Sequence, residues 1–176
     1  MIIALSGLAG AGKSTAAKHL SLVHGFTLVK FAGPLKRMLR SIGLSDEELE
    51  GVRKEVPSEL LCGRTPRHAM QTLGTEWGRD LIGPDFWVNL WEFTACEILA
   101  EEGKVVVDDC RFPNEAEKVR KLGGKIVTIQ GPRKIRSAHS SEQTLHGDAV
   151  IFNDRSIYDL NAELDKIMEK FHAEGL

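Results

Sequence analysis

The stretch that decides the fold is residues 2–20, IIALSGLAGAGKSTAAKHL. Its spacing matches the phosphate-loop pattern G-x-x-x-x-G-K-[ST], with Gly7, Gly12, Lys13 and Ser14 at the defining positions. The apolar run IIAL before the loop is typical of a short buried strand, and the residues after it favour a helix. The loop therefore lies between a strand and a helix N-terminus, which is the context in which this motif binds phosphate.

The loop residues predict how a nucleoside triphosphate would be bound. Glycine allows positive φ and leaves room for the backbone amides of residues 9–14 to point at a phosphate. Lys13 would reach the β- and γ-phosphates, and the Ser14 hydroxyl would hold Mg²⁺. We therefore expect a triphosphate site with Mg²⁺ built from Gly10, Ala11, Gly12, Lys13, Ser14 and Thr15.

Composition limits the class of protein. A chain of 176 residues is expected to form a single domain over 1–176, and its net charge of −2 gives no overall positive field for a stable nucleic-acid partner. Its 3 cysteines are an odd number without metal-ligand spacing, which favours reduced thiols inside a cell. No apolar run is long enough to span a membrane and no signal-peptide pattern is present, so we expect a cytoplasmic protein.

Strand-like and helix-like segments alternate along the chain. The predicted strands are 2–5, 26–31, 104–107, 126–129 and 149–152. This alternation predicts an α/β fold with a parallel sheet flanked by helices, and with right-handed crossovers. Ligands of such sheets bind beyond the carboxyl ends of the strands, where the phosphate loop and the segment after Val107 would lie.

Two regions are predicted to leave the sheet. The first is a helical region at approximately 34–100, in which residues 51–64 are expected to be a mobile connection. Its main helix would run from Pro66 to about Ile82 with an apolar stripe of Met70, Leu73, Trp77 and Leu81. The second is a basic stretch at approximately 131–147, which favours a lid closing over phosphates, with a solvated loop as the alternative.

Two adjacent acids follow the predicted strand 104–107. An acid just past a buried strand can hold Mg²⁺ opposite Ser14, and neighbouring side chains point to opposite sides, so one of Asp108 and Asp109 is expected to face the site. The alternative is a strand-end turn with solvated acids. Arg111 could meet a second phosphate-bearing ligand, or form a surface ion pair.

Three segments resemble the phage-type deoxynucleoside monophosphate kinases, which are P-loop kinases related to the dephospho-CoA and adenylate kinases. The first is the phosphate loop together with FAGPLK at 31–36. The second is QTLGTEWGR at 71–79, continuing to PDFWV at 84–88, and the third is DCRFPNE at 109–115, followed by a Gly-Gly pair at 123–124. The second and third are the more specific, and a weaker likeness extends to 140–142 and 153–154.

The resemblance implies a three-layer P-loop fold that transfers the γ-phosphoryl group of ATP to a deoxynucleoside 5′-monophosphate. It implies that Lys13, Asp109, Arg111 and the lid residue Arg136 take part in catalysis, and that Ser14 and Asp109, or Asp108, hold Mg²⁺. Besides the phosphate loop, Arg133 and Asn153 would contact ATP. The implied acceptor-binding residues are Lys36, Arg67, Gln71, Arg79, Phe86, Trp87 and Arg111, with core packing as the alternative for the two aromatic residues. A homodimer, and a host bacterial cytoplasm for a phage-encoded chain, are suggested by the resemblance alone.

The sequence also departs from the family pattern. Gly33 stands where the family usually has Asp, which leaves the choice of acceptor base open, and Arg155 stands where Gly is frequent. Two other functions remain as alternatives. One is a dephospho-CoA kinase, which the segments at 71–79 and 85–87 do not favour. The other is a nucleotide-gated binding module, for which the guanine motif Asn-Lys-x-Asp of GTPases is missing from the sequence.

Overall fold

Five parallel strands form one sheet in the computed structural model, which describes residues 1–131 and 145–175. The spatial order is β2-β3-β1-β4-β5. The strands are β1 (Ile2–Ser6), β2 (Phe26–Leu28), β3 (Lys104–Val107), β4 (Lys125–Gln130) and β5 (Ala149–Phe152). This confirms the predicted parallel α/β sheet, although β2 ends at Leu28 and not at residue 31.

Seven α-helices are seen in the described ranges. They are α1 (Lys13–His24), α2 (Gly33–Ser41), α3 (Asp46–Leu49), α4 (Pro66–Gln71), α5 (Phe86–Ala100), α6 (Pro113–Lys121) and α7 (Ile157–Ala173). The connection expected at 51–64 contains two 3₁₀ helices, Val52–Glu55 and Glu59–Leu61. A π-helix, Thr72–Ile82, follows α4 directly.

The chain divides into two compact units, with the boundary at Trp91 falling inside α5. The first unit, Met1–Lys30 and Glu92–Leu176, holds the sheet. Every residue of β1 is buried, as expected for a central parallel strand covered on both faces. Apolar residues of β1, β4, α1 and α7 form the core of this unit, among them Leu5, Leu20, Ile129, Leu164 and Phe171.

The second unit, Phe31–Trp91, is helical. Its core contains Leu35, Leu39, Leu44, Leu49 and Trp87. Thr65 caps α4, because its side chain accepts a hydrogen bond from the His68 amide at 3.1 Å.

The predicted helix over 66–82 is continuous, but its winding changes at Thr72. Met70, Leu73 and Trp77 pack against the core as expected. Leu81 does not, and it is 76% exposed. The α-helical period used for the prediction carries Leu81 back to the same face, whereas hydrogen bonding from i to i+5 in the π-helix turns it away.

Candidate active site

The phosphate loop joins β1 to α1, and its glycines are required by the backbone. Gly7 has φ 137° and Gly12 has φ 105°, values that L side chains rarely adopt. A Cβ on Gly7 would collide with the Ile129 carbonyl oxygen, and one on Gly12 would lie 2.5 Å from Asn153 Nδ2. The loop is therefore held closely between β4 and the segment after β5.

The cationic end of the loop is formed by Lys13, the first residue of α1. Its Nζ donates to the carbonyl oxygens of Gly7 at 2.7 Å and Leu8 at 2.8 Å. The first turn of α1 carries no acidic residue, so the positive end of the helix dipole is not offset there. Loop amides, helix dipole and Lys13 together provide an environment that suits an anion.

Ser14 and Asp108 bring the loop and β3 together. The Ser14 hydroxyl donates to Asp108 Oδ2 at 2.9 Å, and Asp108 is only 4% exposed. Within the described residues, Asp108 Oδ1 accepts no hydrogen bond. A buried carboxylate with one oxygen that accepts no hydrogen bond, beside a hydroxyl, is a donor set that suits Mg²⁺, which prefers oxygen ligands.

A third group at this point, Lys30, was not predicted from the sequence. Its Nζ lies 3.4 Å from Asp108 Oδ1. β2 pairs in parallel with β3, with Leu28 opposite Val106, and the Val29 amide donates to the Val106 carbonyl at 2.9 Å. Continuing this register sets Lys30 opposite Asp108, so the pairing of the two strands was the signal that could have found it.

Asp109 and Arg111 differ from Asp108 in their surroundings. Asp109 is half-buried and Arg111 is exposed. The backbone amide of Arg111 donates to Glu115 Oε2 at 2.7 Å, which fixes the start of α6. Between them, Cys110 is buried, and this burial, followed by the charges of Glu115 and Asp109, raises the pKa of its thiol far above its usual range. Asp108 is thus the acid that the structure brings to Ser14.

Asn153, the residue that follows β5, holds the phosphate loop through a hydrogen bond. Its Nδ2 donates to the Ala11 carbonyl at 2.9 Å, and its backbone amide donates to the Gln130 carbonyl at 2.7 Å. The predicted contact between Asn153 and ATP stays a prediction. The contact with Ala11 gives this residue a role in holding the loop, which the sequence alone did not indicate.

The predicted acceptor residues of the second unit have partners inside that unit. Lys36 Nζ lies 2.7 Å from Glu50 Oε1, and Arg67 forms an ion pair with Glu55. Arg79 Nη1 donates to the Pro84 carbonyl at 3.3 Å, and Gln71 is exposed. Two of the predicted cations are therefore matched by nearby carboxylates.

The two predicted aromatic residues belong to one cluster. Phe86 and Trp87 have ring centroids 4.7 Å apart, and Trp77 contacts both at 5.4 and 6.1 Å. Trp87 is 2% exposed, and its indole N–H donates to the Gly74 carbonyl at 2.8 Å. Trp87 thus packs as a core residue, whereas Phe86 is only half-buried.

The predicted lid residues Arg133 and Arg136 lie outside the described residues. Among the helices of the described ranges, none combines the length and the apolar composition of a membrane span.

Comparison with known proteins gives consistent matches. The family of deoxynucleotide monophosphate kinases matches residues 62–164. A protein of Acanthamoeba polyphaga mimivirus, provisionally assigned as a deoxynucleotide monophosphate kinase, is 32% identical over 187 residues, covering 99% of this chain and 93% of that protein. The deoxynucleotide monophosphate kinase of Escherichia phage RB69 is 29% identical over 107 residues, which cover 58% of this chain and 44% of that protein.

Among solved structures, dephospho-CoA kinase from Campylobacter jejuni aligns with a TM-score of 0.51 over 99% of this chain and 98% of that one, at 16% identity. A likeness at this identity extends to the fold alone. The family match covers more than half of the 176 residues, and the mimivirus relative aligns with nearly all of them. The chain belongs to the deoxynucleotide monophosphate kinase family.

Proposed function

We propose that this nucleotide kinase takes the γ-phosphoryl group of ATP at the phosphate loop and transfers it to a deoxynucleoside 5′-monophosphate, with Mg²⁺ held by Ser14 and Asp108. The observation that carries the proposal is the Ser14–Asp108 contact of 2.9 Å at the N-terminus of α1, beside a loop in which Gly7 and Gly12 leave no room for a side chain. Bound Mg²⁺ would offset charge on the β- and γ-phosphates during transfer.

Phosphoryl transfer requires the enzyme mainly to position the two substrates and to offset the negative charge of their phosphates. An oxygen of the acceptor phosphate attacks the γ-phosphorus, the bond from the γ-phosphorus to the β,γ-bridging oxygen breaks, and ADP leaves. A phosphate monoester has a second pKa of about 6, so at neutral pH its oxygens are already largely deprotonated and need no general base. Asp109 is therefore not required to accept a proton.

Lys13 is proposed to move from its present carbonyl partners to the phosphates. Its Nζ is held by the Gly7 and Leu8 carbonyls, so a bound β- or γ-phosphate would replace neutral acceptors with a charged one. Such a contact becomes stronger as charge develops on the transferred group. Arg111, exposed beyond β3, is the proposed cation for the acceptor phosphate, because a guanidinium can hold a phosphate through two parallel hydrogen bonds.

Lys30 is proposed to keep Asp108 in place. An ionised carboxylate that is 4% exposed needs a nearby opposite charge, and Lys30 Nζ at 3.4 Å supplies it. With Mg²⁺ held by Asp108, Lys30 would become available to a phosphate.

The direct test is an acceptor panel with the purified full chain and Mg-ATP. The acceptors are dAMP, dCMP, dGMP, dTMP, the matching ribonucleotides and dephospho-CoA, and the products are ADP and the phosphorylated acceptor. We expect ADP to form only when a deoxynucleoside monophosphate is present. Turnover of dephospho-CoA above that of every deoxynucleotide, or ADP release without any acceptor, would overturn the proposal. A homodimer and a cytoplasmic location remain predictions alongside it.

A further inference from the structure

We propose that His19, His24 and Asp165 form a zinc-binding site at the C-terminal end of α1, separate from the phosphate loop. The site joins two helices of the first unit, since His19 and His24 lie on α1 and Asp165 lies on α7. Neither the phosphoryl-transfer chemistry nor the family resemblance uses any of these three residues.

The three side chains converge on one point. His19 Nε2 lies 2.6 Å from Asp165 Oδ1, and His24 Nε2 lies 2.7 Å from the same oxygen. All three ligand atoms lie within 4.8 Å of one another. The two imidazole rings meet nearly edge to face, with centroids 5.7 Å apart and an interplanar angle of 70°. Two helices thus present two ring nitrogens and one carboxylate oxygen to a common centre.

These distances are close to those of an occupied site. Zinc binds imidazole nitrogen and carboxylate oxygen at about 2.0–2.2 Å, so ligand atoms around a tetrahedral ion are roughly 3.3 Å apart. The nitrogen–oxygen distances of 2.6 and 2.7 Å would therefore have to open by less than about 1 Å. Asp165 can make this adjustment, because its side chain is 40% exposed, whereas those of His19 and His24 are 13% and 20% exposed.

The donor set selects the metal. Two neutral imidazoles and one carboxylate suit zinc and similar transition metals, while Mg²⁺ and Ca²⁺ prefer oxygen alone. Nε2 of each ring would bind the metal, and this nitrogen must carry no proton in the bound form. Three protein ligands leave a coordination position for water on the exposed side.

The position of the site indicates that bound zinc would stabilise the folded first unit. α1 begins with Lys13 in the phosphate loop and ends with His24, and α7 follows the segment whose Asn153 donates to Ala11 of that loop. A metal ion at the C-terminal end of α1 would link α1 to α7, in addition to the hydrogen bond between Asn153 and the phosphate loop. Binding to the folded state alone would raise the free energy of unfolding in proportion to the logarithm of metal concentration.

The test uses the full chain, stripped of metal with a chelator and then dialysed. Cobalt(II) serves as a spectroscopic probe, and zinc affinity is measured by competition with a chromophoric chelator. We expect one equivalent of zinc per chain, a cobalt spectrum without the near-ultraviolet thiolate bands that a cysteine site would give, and a Tm that rises with zinc. In ¹⁵N-histidine NMR spectra, zinc should shift the Nε2 signals of His19 and His24.

Matched variants separate this site from adventitious binding. His24→Ala and Asp165→Ala should each weaken zinc binding at least about tenfold, since even the loss of a group that only orients a ligand costs 10–100-fold. His172→Ala, on an exposed residue of the same helix α7, should leave the affinity within about twofold, because it removes no ligand of the site. The Tm of each metal-free variant reports whether it folds, and the cobalt and NMR measurements on the unaltered chain do not depend on any variant. Equal losses in all three variants, thiolate bands in the cobalt spectrum, or unshifted His19 and His24 signals would overturn the proposal.

Discussion

Glycine serves different purposes in the phosphate loop and in the second unit. Gly7 and Gly12 of the loop combine a positive φ with contacts that leave no room for Cβ. Gly33 of the second unit lies outside the left-handed region, and its Cβ would meet only Arg37 Nη1 at 3.5 Å. Gly74 is similar, with Leu35 Cδ2 at 3.6 Å. The loop sequence is therefore dictated by backbone geometry, whereas at these two positions the second unit has room for a side chain.

The largest expected effect comes from removing the loop cation. Lys13→Ala should lower kcat on the order of 10³-fold and greatly weaken ATP binding, because one cation is lost from the β- and γ-phosphates. Steady-state rates with a coupled ADP assay and calorimetry with a non-hydrolysable ATP analogue measure both quantities. Lys18→Ala, on an exposed residue of α1, is the matched control and should change neither.

The same assay tests whether the two proposed acceptor cations act on a different ligand. Arg111→Ala, beyond β3, and Arg79→Ala, in the second unit, should reduce kcat/KM for the deoxynucleotide by at least about tenfold, since a charged hydrogen bond contributes about 1.5–3 kcal/mol. The affinity for the ATP analogue should stay within about twofold. A loss of ATP affinity as large as that of Lys13→Ala would contradict the proposed division between donor and acceptor.

A separate comparison of variants distinguishes the two adjacent acids. Asp108→Asn removes the charge that faces Ser14 but keeps the size of the side chain, and it should reduce kcat roughly 100-fold, about 2.7 kcal/mol of transition-state free energy. The Mg²⁺ concentration that gives half-maximal rate should rise with it. Asp109→Asn should cost less than about fivefold, because that side chain is not the one held by Ser14. A larger loss in Asp109→Asn would assign the metal to Asp109.

Local patterns and long-range contacts explain which features the sequence could predict. The phosphate loop and the buried strands follow from rules that act within a few residues, and the structure agrees with them. Lys30 and Asp108, or His19 and Asp165, are far apart in the chain, and strand pairing or helix packing brings them together.

The choice between Asp108 and Asp109 was open for a related reason. Side chains alternate along a strand, so the sequence predicts that one of the two faces the site, but only the contact of Asp108 with Ser14 tells which. The exposure of Leu81 could not be predicted because the switch to a π-helix at Thr72 has no simple sequence signature, and the α-helical period was applied through to Ile82.

A smaller effect, on the free energy of unfolding, is expected at a glycine of the second unit that lies against a large side chain. A Cβ on Gly78 would collide with the Trp87 indole, although Gly78 has no positive φ. Gly78→Ala should therefore destabilise the protein by about 1–3 kcal/mol, the usual range for overpacking. Gly74→Ala, also in the π-helix, meets only an ordinary contact and should change stability by less than about 1 kcal/mol. Urea unfolding followed by tryptophan fluorescence measures both, and equal losses would show that the indole is not the limiting neighbour.

The smallest change concerns Gly33, and it tests whether the second unit is open to ligand-dependent variation. The family pattern that the sequence resembles implies Asp here, and a side chain at Gly33 would meet only an ordinary contact. Gly33→Asp should leave the Tm and the KM for ATP nearly unchanged but alter the ratios of kcat/KM among dAMP, dCMP, dGMP and dTMP by roughly tenfold, the value of one charged hydrogen bond. Gly33→Ala is the control for side-chain bulk and should keep the original ratios. If both variants give the ratios of the unaltered chain, the residue at this position does not read the acceptor base, and selectivity must arise elsewhere in the protein.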